Sequence, residues 1–179
     1  MRTERLNIRP IEEDDWSSIQ AIWEDFNKSE YVIYDNFKNT DSDDVKKRIE
    51  KWANATRSGN EHIFFVTCLE SEVIGFTSLN IRPEGYEIGY GFLDKYQGNG
   101  YAKESIAVIL DYMKGIGAKK IFAGTALKNL PSVGLLNSLG FELTGTEEIS
   151  FHKDNEGNDI YFEGGIFEKK LWHIDKYKQ

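Results

Sequence analysis

The chain is predicted to fold as one α+β domain in which helices flank a largely antiparallel sheet, and three features of its 179 residues predict this. Apolar, strand-like runs at Ile63 to Cys68, Val73 to Ile81 and Gly85 to Leu93 follow one another with only short joints, as an antiparallel meander does. Two helical patterns precede that meander. A glycine-rich turn, an amphipathic helix, a short strand, another helix and a hairpin follow it.

Leu6-Asn7-Ile8-Arg9 alternates apolar and polar residues as an opening strand, and Pro10 closes it. Asp14 or Asp15 is placed to cap the next helix, where Trp16, Ile19, Ile22, Trp23 and Phe26 fall on one buried face. Tyr31 to Phe37 is aromatic without a clean period, and Thr40-Asp41-Ser42-Asp43 caps a second helix running to about Thr56. Leu69-Glu70-Ser71-Glu72 is the polar turn of the first hairpin. In Gly85-Tyr86-Glu87-Ile88-Gly89-Tyr90-Gly91-Phe92-Leu93 glycines separate large residues. Glycine weakens a strand, so this spacing predicts close approach of another chain or of a ligand along one face. Ala102, Ile106, Ile109, Leu110 and Met113 form a helical stripe that Gly115 or Gly117 ends. Ile121 to Ala126 is a short buried strand, and Leu130 to Leu139 a helix stopped by Gly140, with Phe141 folding back onto it. Phe141 to Phe151 and Ile160 to Lys169 flank the turn-forming Asp154-Asn155-Glu156-Gly157-Asn158.

Composition narrows the function. Thirty acidic against 22 basic residues, a formal charge of −8, repel a phosphate backbone, and the pairs Lys119-Lys120 and Lys169-Lys170 do not make a basic stripe. Nucleic acid is not an expected partner, whereas an acidic surface suits cationic amines. No run approaches the roughly 18 apolar residues of a membrane span, and Met1 to Pro10 lacks the apolar stretch of a secretory signal, so the expected location is cytoplasmic and away from membranes. The lone Cys68 has no disulfide partner and lies in a strand interior, a packing position. His62, His152 and His173 are scattered and lack companions at ligand spacing, so no metal is expected.

The chemistry is predicted to sit at Gln97-Gly98-Asn99-Gly100-Tyr101-Ala102. A strand entering a glycine turn that opens a helix gathers free backbone N–H groups at the positive end of the helix dipole, and glycines let phosphate oxygens approach the backbone. A Walker-type loop needs Lys and Ser or Thr after its last glycine, where this chain has Tyr101-Ala102. A dinucleotide fingerprint needs a small residue where Lys103 stands, and a βαβ unit instead of a meander.

The order of elements resembles the GNAT superfamily of acyltransferases over nearly the whole chain, and several motifs agree. Gln97, Gly100 and Ala102 match that family's pyrophosphate loop. Glu87 to Phe92, Asn129-Leu130-Pro131-Ser132 followed by Leu139-Gly140-Phe141, the opening Glu4 to Pro10 and the closing Gly165 to Leu171 are similar to its RimJ/RimL-like branch. The resemblance implies the acyl-CoA N-acyltransferase fold: three α/β layers around a mixed, mostly antiparallel sheet with a splayed central strand. It also implies acetyl-CoA as cosubstrate, with Gln97, Gly98, Asn99, Gly100, Tyr101 and Ala102 gripping the pyrophosphate. Backbone groups near Phe92 and Leu93 would pair with pantetheine, against which Asn129 and Ser132 would lie. Gly89 and Gly91 would keep one face open, and a bulge near the strand end would direct the thioester.

The implied reaction is direct attack of a neutral amine on the thioester within a ternary complex. Cys68 has no neighbours in sequence for a covalent relay except His62. Glu87 is the candidate base and part of the acceptor site, and Ser132 the candidate donor to the departing thiol. Many GNAT enzymes carry a tyrosine where this chain has Leu136, which leaves Ser132 as the local proton donor. Tyr31 and Tyr34, with Asp35 and Phe37, would wall the acceptor, a small-molecule amine or a protein N-terminus. Bland readings stand beside these: a strand glutamate is often salt-bridged, Ser132 can cap its helix, and aromatic clusters are often core. The same loop would also serve a catalytically weak CoA-binding sensor or interaction module. The terminal hairpin edge leaves monomer and homodimer open.

Overall fold

The computed structural model describes residues 1–59 and 61–171, so His173 lies outside the described residues. Strand β1 (Leu6–Pro10) leads into helices α1 (Trp16–Lys28) and α2 (Ser42–Ser58), then strands β2 (His62–Leu69), β3 (Glu72–Arg82) and β4 (Gly85–Phe92). Helix α3 (Tyr101–Gly115), strand β5 (Lys120–Ala126), helix α4 (Leu130–Ser138) and the hairpin of β6 (Glu142–Lys153) and β7 (Asp159–Lys170) complete the chain. The seven strands make one sheet in the order β1-β2-β3-β4-β5-β7-β6, antiparallel at every step except between β4 and β5.

Each face of the sheet carries its own apolar layer. Ile106, Ile109 and Met113 of α3 and Leu136 of α4 pack with Ile8, Ile74, Leu79, Ile88, Ile121 and Phe167 on one side. Ile19, Ile22 and Trp23 of α1 and Val45 and Ile49 of α2 pack with Phe64, Val66, Cys68 and Val73 on the other. Both sets follow from helical and strand periodicity, since each helix presents one stripe and each strand alternates its side chains between the two layers.

Local signals were honoured unevenly. Asp41 caps α2 as expected, accepting from Asp43 N at 3.0 Å and Asp44 N at 3.1 Å. Asp15 stands at the start of α1 but makes no cap bond: its buried carboxylate takes both nitrogens of Arg9 at 2.8 Å and the Glu12 N–H at 2.8 Å. A buried carboxylate demands a charged partner more than a helix end demands a cap. Burial and hydrogen bonding to Asp15 act on Arg9 in opposite directions, and the Asp15 hydrogen bond wins, holding the guanidinium above its ordinary range. After α3 the chain reverses at Gly117, whose φ is +92°, while Gly115 remains helical.

Two expectations about β4 are corrected. The strand carries no bulge, because its pairing with β3 is continuous from Gly75 opposite Phe92 to Arg82 opposite Gly85. Nor is the face above its glycines open. A Cβ on Gly91 would lie 2.8 Å from the Phe76 ring and 3.2 Å from Ile22 of α1, and one on Gly89 would lie 2.8 Å from Ser78 Oγ. The close approach is that of the chain to itself.

Candidate active site

What opens the sheet is the parting of β4 and β5. They pair only at Tyr86 with Ile121 and Glu87 with Phe122, after which β4 continues to Phe92 with no strand on that side. The direction of its backbone groups follows from one bond. Leu93 N donates to Ile74 O of β3 at 2.9 Å, so by antiparallel alternation the odd-numbered residues turn to β3, and Tyr90 and Phe92 turn their N–H and C=O to the gap. Leu93 differs from its expected role: its N–H is spent on Ile74, and its carbonyl accepts from Tyr96 N at 3.0 Å.

At the wide end of the gap lies the glycine turn. Gly98 and Gly100 hold φ of +75° and +78°, the left-handed region that costs a side-chain-bearing residue about 1–2 kcal/mol. Glu104 N is the first amide of α3 to reach a helical carbonyl, Gly100 O at 3.0 Å, so the N–H groups of Tyr101, Ala102 and Lys103 form the free positive end. Side chains brace this loop from within. Gln97 Nε2 donates to Asp94 Oδ1 at 2.7 Å, and Asn99 Nδ2 to the carbonyls of Tyr96 and Gln97 at 3.2 and 3.0 Å. Burial, and then Asp25, push the Asp94 carboxyl up. An anion here would therefore meet backbone amides.

Arg5, quoted in the sequence only within the opening motif, is the outer brace. Its Nη1 donates to Asn99 O at 3.1 Å, its Nε and Nη2 reach Glu104 Oε2 at 2.8 and 2.5 Å, and its guanidinium lies 4.6 Å from the centre of the Tyr101 ring. Thr3 hydrogen-bonds the same carboxylate, and with Arg5 it holds Glu104 below the usual carboxylate range against the effect of burial.

Around the gap the two faces of β4 carry different chemistry. Towards α4, Tyr90 places its hydroxyl 2.8 Å from Ser132 Oγ. Ser132 does not cap its helix. Asn129 does, accepting from Ser132 N at 3.3 Å, and its amide nitrogen has no protein partner among the described residues. Leu136 is buried in the core, so the second hydroxyl beside Ser132 comes from the strand, and Ser132 is not the lone local donor. Strand alternation carried the signal for Tyr90, because it shares the helix-facing side with Ile88 and Phe92.

Towards α1, Glu87 sits where the strands part, its carboxylate hydrogen-bonded to Arg82 and partly exposed. It borders a cleft of about 520 Å³ with Arg82, Glu84, Phe122, Gly124, Glu147 and Ile166. Of its three carboxylates, Glu87 pairs with Arg82 and Glu84 with Lys120, so the excess negative charge of the cleft comes from Glu147, and Phe122 and Ile166 add apolar surface. Tyr31 and Tyr34 are not among its lining residues. Tyr34 packs edge-on against Phe162 of β7, ring centres 5.2 Å apart, and His152 Nε2 lies 3.1 Å from Val32 O and 2.7 Å from Asp35 O, with Phe37 edge-on to the same imidazole. That aromatic segment thus lies against the terminal hairpin. Phe162 is four residues from Ile166 along β7, about 13 Å away on the same face of the sheet. Among the described residues no cluster of His, Cys, Asp or Glu is arranged to hold a metal ion.

Comparison with known proteins places this geometry in context. Residues 5–142 match the family model described as an acetyltransferase (GNAT) domain. The chain is 28% identical over 166 residues to the uncharacterized N-acetyltransferase YnaD of Bacillus subtilis, covering 89% of this chain and 92% of the relative. The crystal structure of a ribosomal-protein-S5-alanine acetyltransferase from Vibrio fischeri superposes with a TM-score of 0.78 at 21% identity, covering 100% of this chain and 98% of that one. The ribosomal L7/L12 alpha-N-protein acetyltransferase RimL, solved in complex with coenzyme A, also reaches 0.78 at 15% identity, covering 94% of this chain and 95% of its own.

Proposed function

The chain belongs to the GNAT acetyltransferase family, and from that membership we propose that it transfers acetyl from acetyl-CoA to a primary amine by direct attack in a ternary complex. The observation that carries the proposal is the gap left where β4 parts from β5, opening onto the left-handed glycine turn at the start of α3. RimL, a protein of the same fold, was solved in complex with coenzyme A, which supports coenzyme A as the kind of ligand.

The residues present fit the cosubstrate. The outward N–H and C=O of Tyr90 and Phe92 offer an extended amide chain the pairing of an added strand, and the amides of Gly98 to Lys103 suit a diphosphate. Asn129 and Ser132 border the same gap from α4. When bound, acetyl-CoA supplies an activated acetyl thioester. The chain's own contributions are orientation, an N–H near Phe92 directed at the developing oxyanion, and removal of the amine proton.

Glu87 is the proposed base, acting directly or through water, because it stands at the junction of gap and acidic cleft. The cleft is the proposed acceptor site. Its charge favours a cationic amine before deprotonation, and its open form accommodates either a small molecule or a protein N-terminus, as the names of the ribosomal-protein acetyltransferases among its structural neighbours suggest. Tyr34, farther along the same face against Phe162, is proposed to meet the distal part of a long acceptor, with Tyr31 one 3-10 turn before it in the same segment.

The test is release of free thiol from acetyl-CoA across a panel of α-amines, lysine-like amines, polyamines and amino sugars. Amine-dependent release with at least one class is expected. Saturable CoA binding without amine-dependent release from any class would instead make the chain a CoA-binding sensor.

A further inference from the structure

We infer that Tyr90 is a positioning residue for the departing thiol: donating its hydroxyl proton to Ser132 Oγ, it turns the Ser132 O–H away from itself and towards the gap where the sulfur leaves. The inference rests on the acetyltransferase reading above. Its geometric basis is the 2.8 Å contact between Tyr90 Oη and Ser132 Oγ, which joins β4 to the first turn of α4 across the gap's inner wall.

A serine hydroxyl has one proton and two lone pairs, so its rotor has three staggered choices. The direction of its O–H is undefined unless a neighbour supplies a donor or an acceptor. Tyr90 can supply either; of the two hydroxyls at this 2.8 Å contact the phenol is the stronger acid, and it is assigned as the donor. Its phenol is largely enclosed by the α3 and α4 side of the core, and burial pushes its ionisation up while the bond to Ser132 opposes this more weakly, so the proton stays on Tyr90. No charged group contributes to that shift, and on the β3 side Tyr90 lies directly opposite Thr77, whose buried hydroxyl has no partner among the described residues. The phenol's hydrogen bond is with Ser132, and as the donor of that bond Tyr90 leaves the serine proton free to point elsewhere.

The step that benefits is carbon–sulfur cleavage. The amine nitrogen forms the new bond to carbonyl carbon, the carbon–sulfur bond breaks with its electron pair going to sulfur, and over the whole reaction sulfur gains the proton that nitrogen gives up. Ser132 O–H meets the charge growing on sulfur as a hydrogen-bond donor, and Tyr90 fixes its aim without losing a proton. The arrangement offers, from the strand, the hydroxyl that the helix lacks at Leu136. Approach of the amine and departure of the thiol then fall on opposite faces of β4, Glu87 lying on the α1 side and Tyr90 on the α4 side.

The experiment is a double-mutant cycle of Tyr90→Phe and Ser132→Ala, measured by thiol release with saturating amine. Tyr90→Phe removes one oxygen and should lower kcat by about three- to tenfold, the worth of one neutral hydrogen bond, with KM for acetyl-CoA unchanged within about twofold. Ser132→Ala should lower kcat by about 10²-fold, and in that background Tyr90→Phe should have no further effect. Equal losses from Tyr90→Phe in both backgrounds, an unchanged kcat, or a loss confined to KM would overturn the inference. Wild-type protein without amine-dependent turnover would overturn the acetyltransferase reading itself, a distinct outcome read before any variant is made.

Discussion

Glu87 can be tested by the one property that separates a base from a surface ion pair. Glu87→Gln preserves size and a hydrogen-bond acceptor for Arg82 but cannot take a proton, so kcat/KM near pH 7 should fall by about 10²-fold. The loss should shrink as pH rises and the amine deprotonates itself. It should be steeper for a lysine-like acceptor, which costs about 4.6 kcal/mol to neutralise at pH 7, than for an α-amine at about 1.4 kcal/mol. A variant whose pH–rate profile overlays that of the wild type removes Glu87 from the mechanism. Cys68 makes the complementary case. It is buried, and burial pushes its thiol up more than Arg9 pulls it down. The fold therefore favours the neutral thiol, a stabilisation present below the ordinary thiol pKa of about 8.5 and lost as pH rises beyond it. Native protein at pH 8 should label slowly with a thiol reagent and rapidly in urea, and Cys68→Ala should retain turnover. Fast native labelling coupled to inactivation would reopen a covalent route. Of the residues in the proposed mechanism, the loop glycines stand out in the sequence because their spacing carries chemistry, and Glu87 and Ser132 because of the family resemblance. Tyr90 and Arg5 do not: strand alternation puts Tyr90 on the helix-facing side, but what distinguishes both residues is a partner 42 and 94 or more positions away, which no local pattern encodes.

The glycine turn and α3 behave as one element with the chain's first residues. Glu104 places a carboxylate in the first turn of the helix whose positive end is the proposed anion site, and Arg5 neutralises it while holding the Asn99 carbonyl. Arg5→Ala should therefore raise KM for acetyl-CoA by about two- to fivefold with little change in kcat, an effect that weakens at high salt. Adding Glu104→Gln to that variant should restore most of the affinity. A defect that Glu104→Gln does not relieve would mean that Arg5 acts by packing on Tyr101 and not by charge. The elements themselves could be read from the sequence, because the stripes of α1 and α3, the cap of α2 and the apolar runs of β2 and β3 are local signals. The parting of β4 from β5 is expected only through the family resemblance, as its splayed central strand, and not from any periodicity. It depends on how far two strands separated by a helix stay paired, and the β4 glycines, which invite a ligand reading, instead admit Phe76, Ile22 and Ser78. Asp15 failed as a cap for the same kind of reason, a buried tertiary partner overriding a local preference.

At the scale of the whole molecule the sheet is one seven-stranded surface that is weakest in its middle, where β4 and β5 share two paired positions while β3–β4 and β5–β7 are paired along most of their lengths. A ligand that fills this gap adds the missing pairing to β4 and ties it to α3 and α4, so it should bind the folded chain alone and raise its stability by mass action. At a hundredfold excess over Kd the gain is about 2.7 kcal/mol, which for a chain of this size moves Tm by about 5–11 °C. Unfolding should remain a single transition, because both apolar layers lean on the same strands. The control is adenosine 3′-phosphate 5′-diphosphate, which has the nucleotide end of coenzyme A with its whole pyrophosphate but no pantetheine, and cannot pair with the open edge of β4. At matched concentrations it should shift Tm far less than CoA does. Equal shifts from the two ligands would place all the binding at the glycine turn and leave the gap without the role assigned to it, whereas no shift from either would remove the CoA site altogether.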